Sequence, residues 1–247
     1  MTHHRLWLAP AFLLCALCPP AGGAGKPRAK APATTTAPAM ATKASAAEGY
    51  DRDGMQVEAT YGQLPAEQVA ARVSERMPAI KRCFDDLAGR LWFLAGELEL
   101  KGRVARDGSV KSVALTRSNV GSHEVERCII GVIKELRLPP PQGGEGEFTY
   151  PLEFTSSERS RQVARWPDAK IAPEMARHQG EVTTCLKKRR PLQVTVYIGP
   201  GGKVASAGLA AEEPIDERAA ACLVKRVSDW ILPDPLGQLA KASYAFP

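Results

Sequence analysis

The stretch "DGSVKSVAL", residues Asp107–Leu115, returns near the end of the chain as "GGKVASAGL", residues Gly201–Leu209. Asp-Gly and Gly-Gly both favour the positive backbone angles of a tight hairpin turn. The residues that follow alternate between apolar and polar or small side chains, which is the pattern of a strand with one buried face. Each stretch therefore predicts the turn of a β-hairpin and the strand after it.

The repeated segment extends well beyond this hairpin. With an offset of 94 residues, residues 98–150 align with residues 192–244 without a gap, and 11 of these 53 positions are identical. Upstream, an offset of 102 residues aligns Cys83 with Cys185, so the first copy carries 8 extra residues between Phe84 and Glu97. The sequence thus predicts a tandem duplication of one unit of about 90 residues.

Each predicted unit begins with a helix and ends with a strand. The apolar residues of the first helix follow one another at spacings of 4, 7, 3 and 4 positions, which places them on one helical face; they are Val69, Val73, Ile80, Cys83 and Leu87. A second helix is predicted to begin after an N-cap residue, Ser122 in one copy and Asp216 in the other. Pro151 lies within the last strand and removes one backbone donor, which predicts that this strand lies at an edge of the sheet.

These elements predict the fold class. It is α+β, with two tandem αββαβ units, each a three-stranded antiparallel sheet covered by two helices on one face. The units are predicted at residues 61–157 and 165–247.

The N-terminal region predicts export. Residues 1–24 contain basic Arg5, an apolar stretch and small residues before Gly25, which is typical of a secretory signal peptide. Residues 25–60 are rich in Ala, Pro, Thr and Lys and predict a disordered linker. Two alternatives remain open, a retained membrane anchor and a lipoprotein with lipid on Cys15 or Cys18.

The net charge of +6 does not indicate a nucleic-acid partner. Residues 1–49 carry five Lys or Arg side chains and one Glu, so most of the net charge lies in that region. The basic run at residues 187–190 contains no aromatic side chain on which bases could stack. We interpret this run as a solvated turn.

With these residues in view, each unit resembles the C-terminal domain of the gliding-motility proteins AgmX and PglI, a relative of the TonB C-terminal fold. The similar segments in the first copy are "IKRCFDDL", "GELELKGRVARDGSVKSVAL", "HEVERCIIGVIKELRLPPPQGG" and "EFTYPLEF". The second copy is more divergent and keeps "GGKVASAGL" and "AACLVKRVSDWILPDP". The resemblance implies an αββαβ fold and a bacterial envelope setting, and it carries over no catalytic residues.

Four cysteines follow the predicted signal peptide, one on each predicted helix. Both helices of a unit must bury their apolar faces against the same sheet, so we expect Cys83 to face Cys128 and Cys185 to face Cys222. In an exported protein each pair predicts a disulfide, the alternative being buried reduced thiols. No two of these cysteines lie two to four positions apart, which disfavours a zinc site.

The sequence contains no recognisable catalytic motif. His123 and His178 are the only histidines after the predicted signal peptide, and they lie at non-equivalent positions of the two copies. "GPGG" precedes a strand and not a helix, so we interpret it as a turn and not as a phosphate loop. We expect no enzymatic activity, cofactor or metal.

Two features favour partner binding. The predicted edge strand carries Phe148, Tyr150 and Phe154, and an edge can pair with an extended peptide, the mode by which TonB-like domains take a partner's segment. The inserted "RLWFLAGE" contributes Trp92 and Phe93, and two interpretations stay open, a partner site or an extension of the first strand that caps the core.

These features lead to one leading hypothesis. It is an exported, non-enzymatic interaction or scaffold module of the bacterial periplasm or cell envelope, linked to gliding motility or envelope machinery. Its expected partner is an envelope protein or peptide, with membrane contact only through the N-terminus. The alternatives are a membrane-anchored TonB-like energy transducer and an enzyme with an unrecognised site.

Overall fold

A computed structural model describes residues 62–155, 158, 163–186 and 188–247, and the strand backbone at residues 47–50 and 56–59. The predicted signal peptide lies outside the described residues. Within the predicted linker, the strands Ala47–Tyr50 (β1) and Gln56–Ala59 (β2) form an antiparallel pair. The rest of that predicted linker up to residue 60 is outside the described ranges.

The remaining elements build an α+β protein. The helices are α1 (Ala66–Ala88), α2 (His123–Lys134), α3 (Asp168–Arg177), α4 (Gln179–Cys185) and α5 (Glu217–Ser228). The strands are β3 (Ala95–Val104), β4 (Val110–Ser118), β5 (Gly146–Thr155), β6 (Ala164–Arg165), β7 (Leu192–Ile198), β8 (Val204–Ala210) and β9 (Ala240–Phe246). We call residues 62–155 the first half and residues 163–247 the second half.

The first half contains a three-stranded antiparallel sheet in the order β4-β3-β5. One face of this sheet packs against α1 and α2, and the apolar side chains between them form the core of the first half. The predicted N-cap is present, since the Ser122 side chain accepts a hydrogen bond from the backbone N–H of Val125.

The predicted hairpin turns require glycine in both halves. Gly108 has a φ of +82° and Gly202 a φ of +74°, in the left-handed region that favours glycine. A Cβ at Gly108 would collide with the carbonyl oxygen of Leu138, and one at Gly202 would collide with that of Leu232. Each turn is therefore closed by the chain that leaves the following helix.

The second half differs from the predicted three-stranded antiparallel sheet. Its sheet has four strands in the order β6-β9-β7-β8, and β6 pairs with β9 in parallel. Trp166 follows β6 and precedes Pro167, which restricts it to extended backbone, and its N–H donates to the carbonyl of Lys241 (2.8 Å). This extended segment adds the fourth strand at the sheet edge.

The second half also divides its first helix into two. The sequence predicts one helix, but α3 ends before His178 and α4 begins after it. The break lies at His178, whose ψ of +3° is not helical, and the His178 ring stacks on Trp230 with 4.1 Å between ring centroids. The helix therefore breaks at a residue that packs against the core.

Both predicted disulfides are present. Cys83 bonds to Cys128 and joins α1 to α2, with 5.7 Å between the Cα atoms. Cys185 bonds to Cys222 and joins α4 to α5, with 5.6 Å between the Cα atoms. Each bond joins two of the helices that pack in the same half.

The two halves pack against each other and belong to one compact unit. The buried Tyr197 hydroxyl donates to the carbonyl of Ala95 (3.0 Å) and accepts its N–H (3.1 Å), while its ring contacts Phe93 (4.8 Å between centroids). Burial raises the pKa of Tyr197 to about 12, so the hydroxyl keeps its proton. The Lys241 ammonium donates to the carbonyls of Ala95 (3.0 Å) and Asn119 (3.2 Å).

None of the helices in the described ranges combines the length and the apolar character needed to cross a membrane.

Candidate functional site

The strand β5 lies at the edge of the first sheet and pairs with β3 along all ten of its residues. On its other side, Gly62 forms a parallel bridge with Gly146 at the first position of the strand. Beyond that bridge, no strand among the described residues pairs with the outer side of β5. The edge from Phe148 to Thr155 is therefore open in the described structure.

The neighbouring strand shows which backbone groups face this open edge. Glu97 donates its N–H to the Asn119 side chain (2.8 Å) and accepts the Asn119 N–H at its carbonyl (2.9 Å), so its backbone points toward β4. The paired residue Glu153 therefore points its own N–H and C=O away from β3. Backbone groups alternate in direction along a strand, so the outward row also includes those of Thr149, Pro151 and Thr155.

Pro151 interrupts this row of outward groups. Its nitrogen carries no hydrogen, so the edge offers three N–H donors, from Thr149, Glu153 and Thr155, and four carbonyl acceptors. A proline whose nitrogen faces away from the sheet is tolerated and blunts edge-to-edge aggregation. The edge can thus pair with an added strand, but with one donor fewer than a regular ladder.

A groove runs along this edge, between β5 and α1. Its volume is about 270 Å³. The floor is apolar, since Phe84 and Phe154 stack with 4.9 Å between ring centroids and Met77 packs beside them. Lys81 and Asp85 on α1 add charge at the groove wall. The groove can accept apolar side chains of an extended segment that pairs with β5.

The five residues predicted to bind a partner occupy different environments. Trp92 is 44% exposed, and half-buried Tyr150 lines the groove. Phe93, Phe148 and Phe154 are buried core side chains, because even-numbered residues of β5 face the helices and Phe93 packs between the halves. Of these three, Phe154 also lines the groove, whereas Phe93 and Phe148 support the sheet.

A second feature lies between the two halves and was missed by the sequence analysis. Glu126 on α2 is 1% exposed, and it lines a cleft of about 80 Å³ between α2, β4 and β8. Burial raises the pKa of Glu126 to about 8, although hydrogen bonds from Ser118 and Leu209 partly oppose that shift. The only sequence signal is that Glu126 is followed by Ile129, Ile130 and Ile133 at helical spacing, which places it within the apolar arc.

The described residues contain no group of three or more His, Cys, Asp or Glu side chains placed to hold a metal ion. The two histidines among the described residues, His123 and His178, lie in different parts of the structure. His123 lines the cleft, where burial lowers its pKa, and His178 Nδ1 hydrogen-bonds to Glu181 (2.8 Å) beside Trp230.

Comparison with known proteins found no matching family model, no matching curated protein and no matching solved structure.

Proposed function

We propose that this protein is an exported, non-enzymatic interaction module of the bacterial cell envelope that binds an extended segment of a partner protein along the edge of β5. The observation that carries the proposal is the open edge itself, with outward backbone groups at Thr149, Glu153 and Thr155 beside an apolar groove. Main-chain hydrogen bonds would supply affinity, and the groove would select apolar side chains at alternate positions.

Export is part of this proposal. The two disulfides among the described residues favour an oxidising compartment, such as the bacterial periplasm, over the cytosol. An exported protein would share this compartment with a partner protein of the envelope. Gliding motility or other envelope machinery is the process that the family resemblance suggests.

We also propose that the two halves are copies of one unit related to the AgmX/PglI C-terminal domain. Gly62 bridges Gly146 in parallel, and Ala164 pairs with Ala240 in parallel. These pairs are related by the offsets of 102 and 94 residues that align the sequences. The backbone N–H of Leu138 donates to the carbonyl of Gly108, and a bond of the same length, 2.9 Å, follows 94 residues later.

The first half is the proposed binding half. The edge of β9 is shorter, because β6 occupies it at Ala240 and Lys241 and leaves only Ala242–Phe246. The outer face of the second sheet is also occupied, since Thr195 and Tyr197 pack against the first half. The second half thus supports the first, in this proposal, and does not compete for the partner.

Proline substitution tests the proposal at single positions. A displayed library of random linear peptides, panned on the oxidised protein, supplies the probe. Thr149→Pro removes one outward N–H of β5, and we expect it to abolish binding of the selected peptides while the fold is retained, as Pro151 already shows that the edge tolerates proline. The readout is peptide affinity measured by fluorescence anisotropy.

Ala245→Pro is the matched control on the other edge. The backbone carbonyl of Lys241 accepts a hydrogen bond from the N–H of Trp166, so the backbone groups of Lys241 face outward from β9. By alternation along the strand, the backbone groups of Ala245 also face outward. This variant should bind the same peptides as the parent protein. Equal binding by both variants, or loss only with Ala245→Pro, would overturn the proposal.

A further inference from the structure

Glu126 is held by both halves of the protein. Its Oε1 accepts a hydrogen bond from the Ser118 hydroxyl in the first half (2.6 Å). Its Oε2 accepts the backbone N–H of Leu209 in the second half (2.8 Å). This one carboxyl group therefore connects α2 and β4 with β8.

The second half approaches Glu126 closely only because residue 208 is glycine. A Cβ at Gly208 would collide with Glu126 Oε1 and would lie 2.8 Å from the backbone nitrogen of Ser122. Next to this contact, the N–H of Ala211 donates to the carbonyl of Leu115 (2.7 Å) and joins the end of β8 to β4. Because Glu126 is 1% exposed in this contact, a charged carboxylate there would lack most of the hydration shell that it has in water.

No cation pairs with Glu126 among the described residues. On α2 itself, His123, Arg127 and Lys134 line the cleft, and Arg127 pairs with Glu217 (3.3 Å). The segment after β8 contributes only the acidic Glu213 and Glu217, and the sides formed by β4 and β8 are uncharged. A negative charge on Glu126 would therefore be buried without compensation, at a large cost.

We propose that Glu126 is a protonation-dependent latch between the two halves, in which the neutral carboxyl holds α2 against β8 and its ionisation loosens that contact. On ionisation the proton passes to solvent, and water enters the cleft to hydrate the carboxylate. The latch goes beyond partner binding at β5 and does not depend on it.

The sign of the pH effect follows from the buried carboxyl. Its pKa is about 8 in the folded protein and near 4.5 when it is exposed. Between these two pH values the carboxyl is protonated in the folded state and ionised in the unfolded state. The contribution of Glu126 to the free energy of unfolding is therefore fully present below pH 4.5 and falls as the pH rises toward 8. Within that window, each rise of one pH unit lowers the ratio of folded to unfolded protein by up to about tenfold through this group.

The experiment compares the full chain with Glu126→Gln across pH 5 to 9. Gln is nearly isosteric with the neutral acid, so its oxygen can still accept the Leu209 N–H and its amide can donate to Ser118. Urea unfolding should show a pH-dependent loss in the parent that is absent in Glu126→Gln. Glu124→Gln is the matched control on the same helix, since Glu124 is exposed, and it should keep the parent's pH dependence.

Amide hydrogen exchange at Ala211 reports opening of the contact itself. After correction for the intrinsic rate, protection of this amide in the parent should fall at least about tenfold from pH 6 to pH 9, while amides in the middle of β3 stay protected. In Glu126→Gln the Ala211 amide should stay protected throughout. An identical pH dependence of Ala211 protection in the two proteins would overturn the latch.

Ser118→Ala provides a second route that keeps the carboxyl. Loss of the Ser118 donor removes a hydrogen bond to the ionised form, so the transition in Ala211 protection should move to higher pH. A carbon-13 titration of the Glu126 carboxyl in the parent then gives the ionisation directly. Ionisation near pH 4.5, or a transition that Ser118→Ala leaves in place, would refute the proposal.

Discussion

The outer faces of the two sheets, which point away from the helices, carry opposite chemistry. In the middle of β3 this face carries Lys101 and Arg103, both of which contact Glu147 on β5 (3.1 and 3.6 Å). At the positions 94 residues later, β7 carries Thr195 and Tyr197, which are buried against the first half. One face is charged and hydrated, and the other forms an internal contact.

This difference indicates that the two halves have different roles although they share several structural features. The turn glycines, the disulfides and the apolar faces toward the helices correspond in both halves, because they are needed to fold each sheet. The outer faces are free of that demand and can diverge. The second half uses its outer face to hold the first half, and no described strand pairs with the outer edge of β5 in the first half.

The largest effect should come from the contact that distinguishes the two faces. Tyr197→Ala removes a buried ring and both hydrogen bonds to Ala95, so we expect the free energy of unfolding to fall by about 3–5 kcal/mol. Arg103→Ala, 94 residues earlier on the hydrated face, should change it by less than about 0.5 kcal/mol. Urea unfolding of both variants measures the contrast, and similar losses would contradict it.

Removing either disulfide should have the next largest effect. The bonds link residues 45 and 37 positions apart, and we expect Cys83→Ala/Cys128→Ala or Cys185→Ala/Cys222→Ala to cost about 2–4 kcal/mol. Because the halves share a buried contact, each double variant should still unfold in a single transition. Two separate transitions by near-ultraviolet and far-ultraviolet circular dichroism would show that the halves are independent.

A methyl group at the contact between the halves should have an intermediate effect. Gly208→Ala places a Cβ against Glu126 and 2.9 Å from the Cα of Gly121, and we expect a loss of about 1–3 kcal/mol. Gly131→Ala is the control on α2, where a Cβ meets no atom within 4 Å, and it should stabilise the protein by about 0.5–1 kcal/mol. Thermal unfolding distinguishes the two signs, and a stabilising Gly208→Ala would contradict the close approach.

The smallest effect should come from the hydrated face. Glu99→Gln removes a pair with Arg117 (2.7 Å) and installs the residue type found at position 193, at a cost of about 0.2–1 kcal/mol. The Arg117 guanidinium, followed by the Thr116 hydroxyl, holds the pKa of Glu99 below its usual value. This contribution is present above pH 4.5 and is lost as the pH falls below it, so parent and variant should converge in thermal stability at acid pH. A difference that persists there would count against the pair.

Local sequence patterns were sufficient to predict much of the framework. Asp107-Gly108 and Gly201-Gly202 predicted the two hairpins, because few other residues adopt the backbone angles that these turns need. Helical spacing placed Cys83 and Cys128 on facing helices, and the bond between them followed from their common sheet. Such features depend on short-range rules and so are readable from one chain.

Contacts between the halves were not predictable in the same way. The burial of Tyr197 depends on where Ala95 lies, 102 residues earlier in the chain, and no periodicity encodes that distance. Glu126 was missed because a glutamate on a helix is normally solvated, and its burial depends on the packing of β8 against α2. The strand β6 was missed because its two residues are too short for an alternating pattern.

The central claim is that a partner segment pairs with the β5 edge of the first half. A nitrogen-15 NMR titration of the oxidised protein with a peptide selected from the displayed library tests it most directly. We expect new hydrogen-exchange protection at the Thr149, Glu153 and Thr155 amides and none at residues 242–246. Protection confined to the β9 edge, or peptide binding that leaves all three β5 amides unchanged, would show that the peptide does not pair with β5.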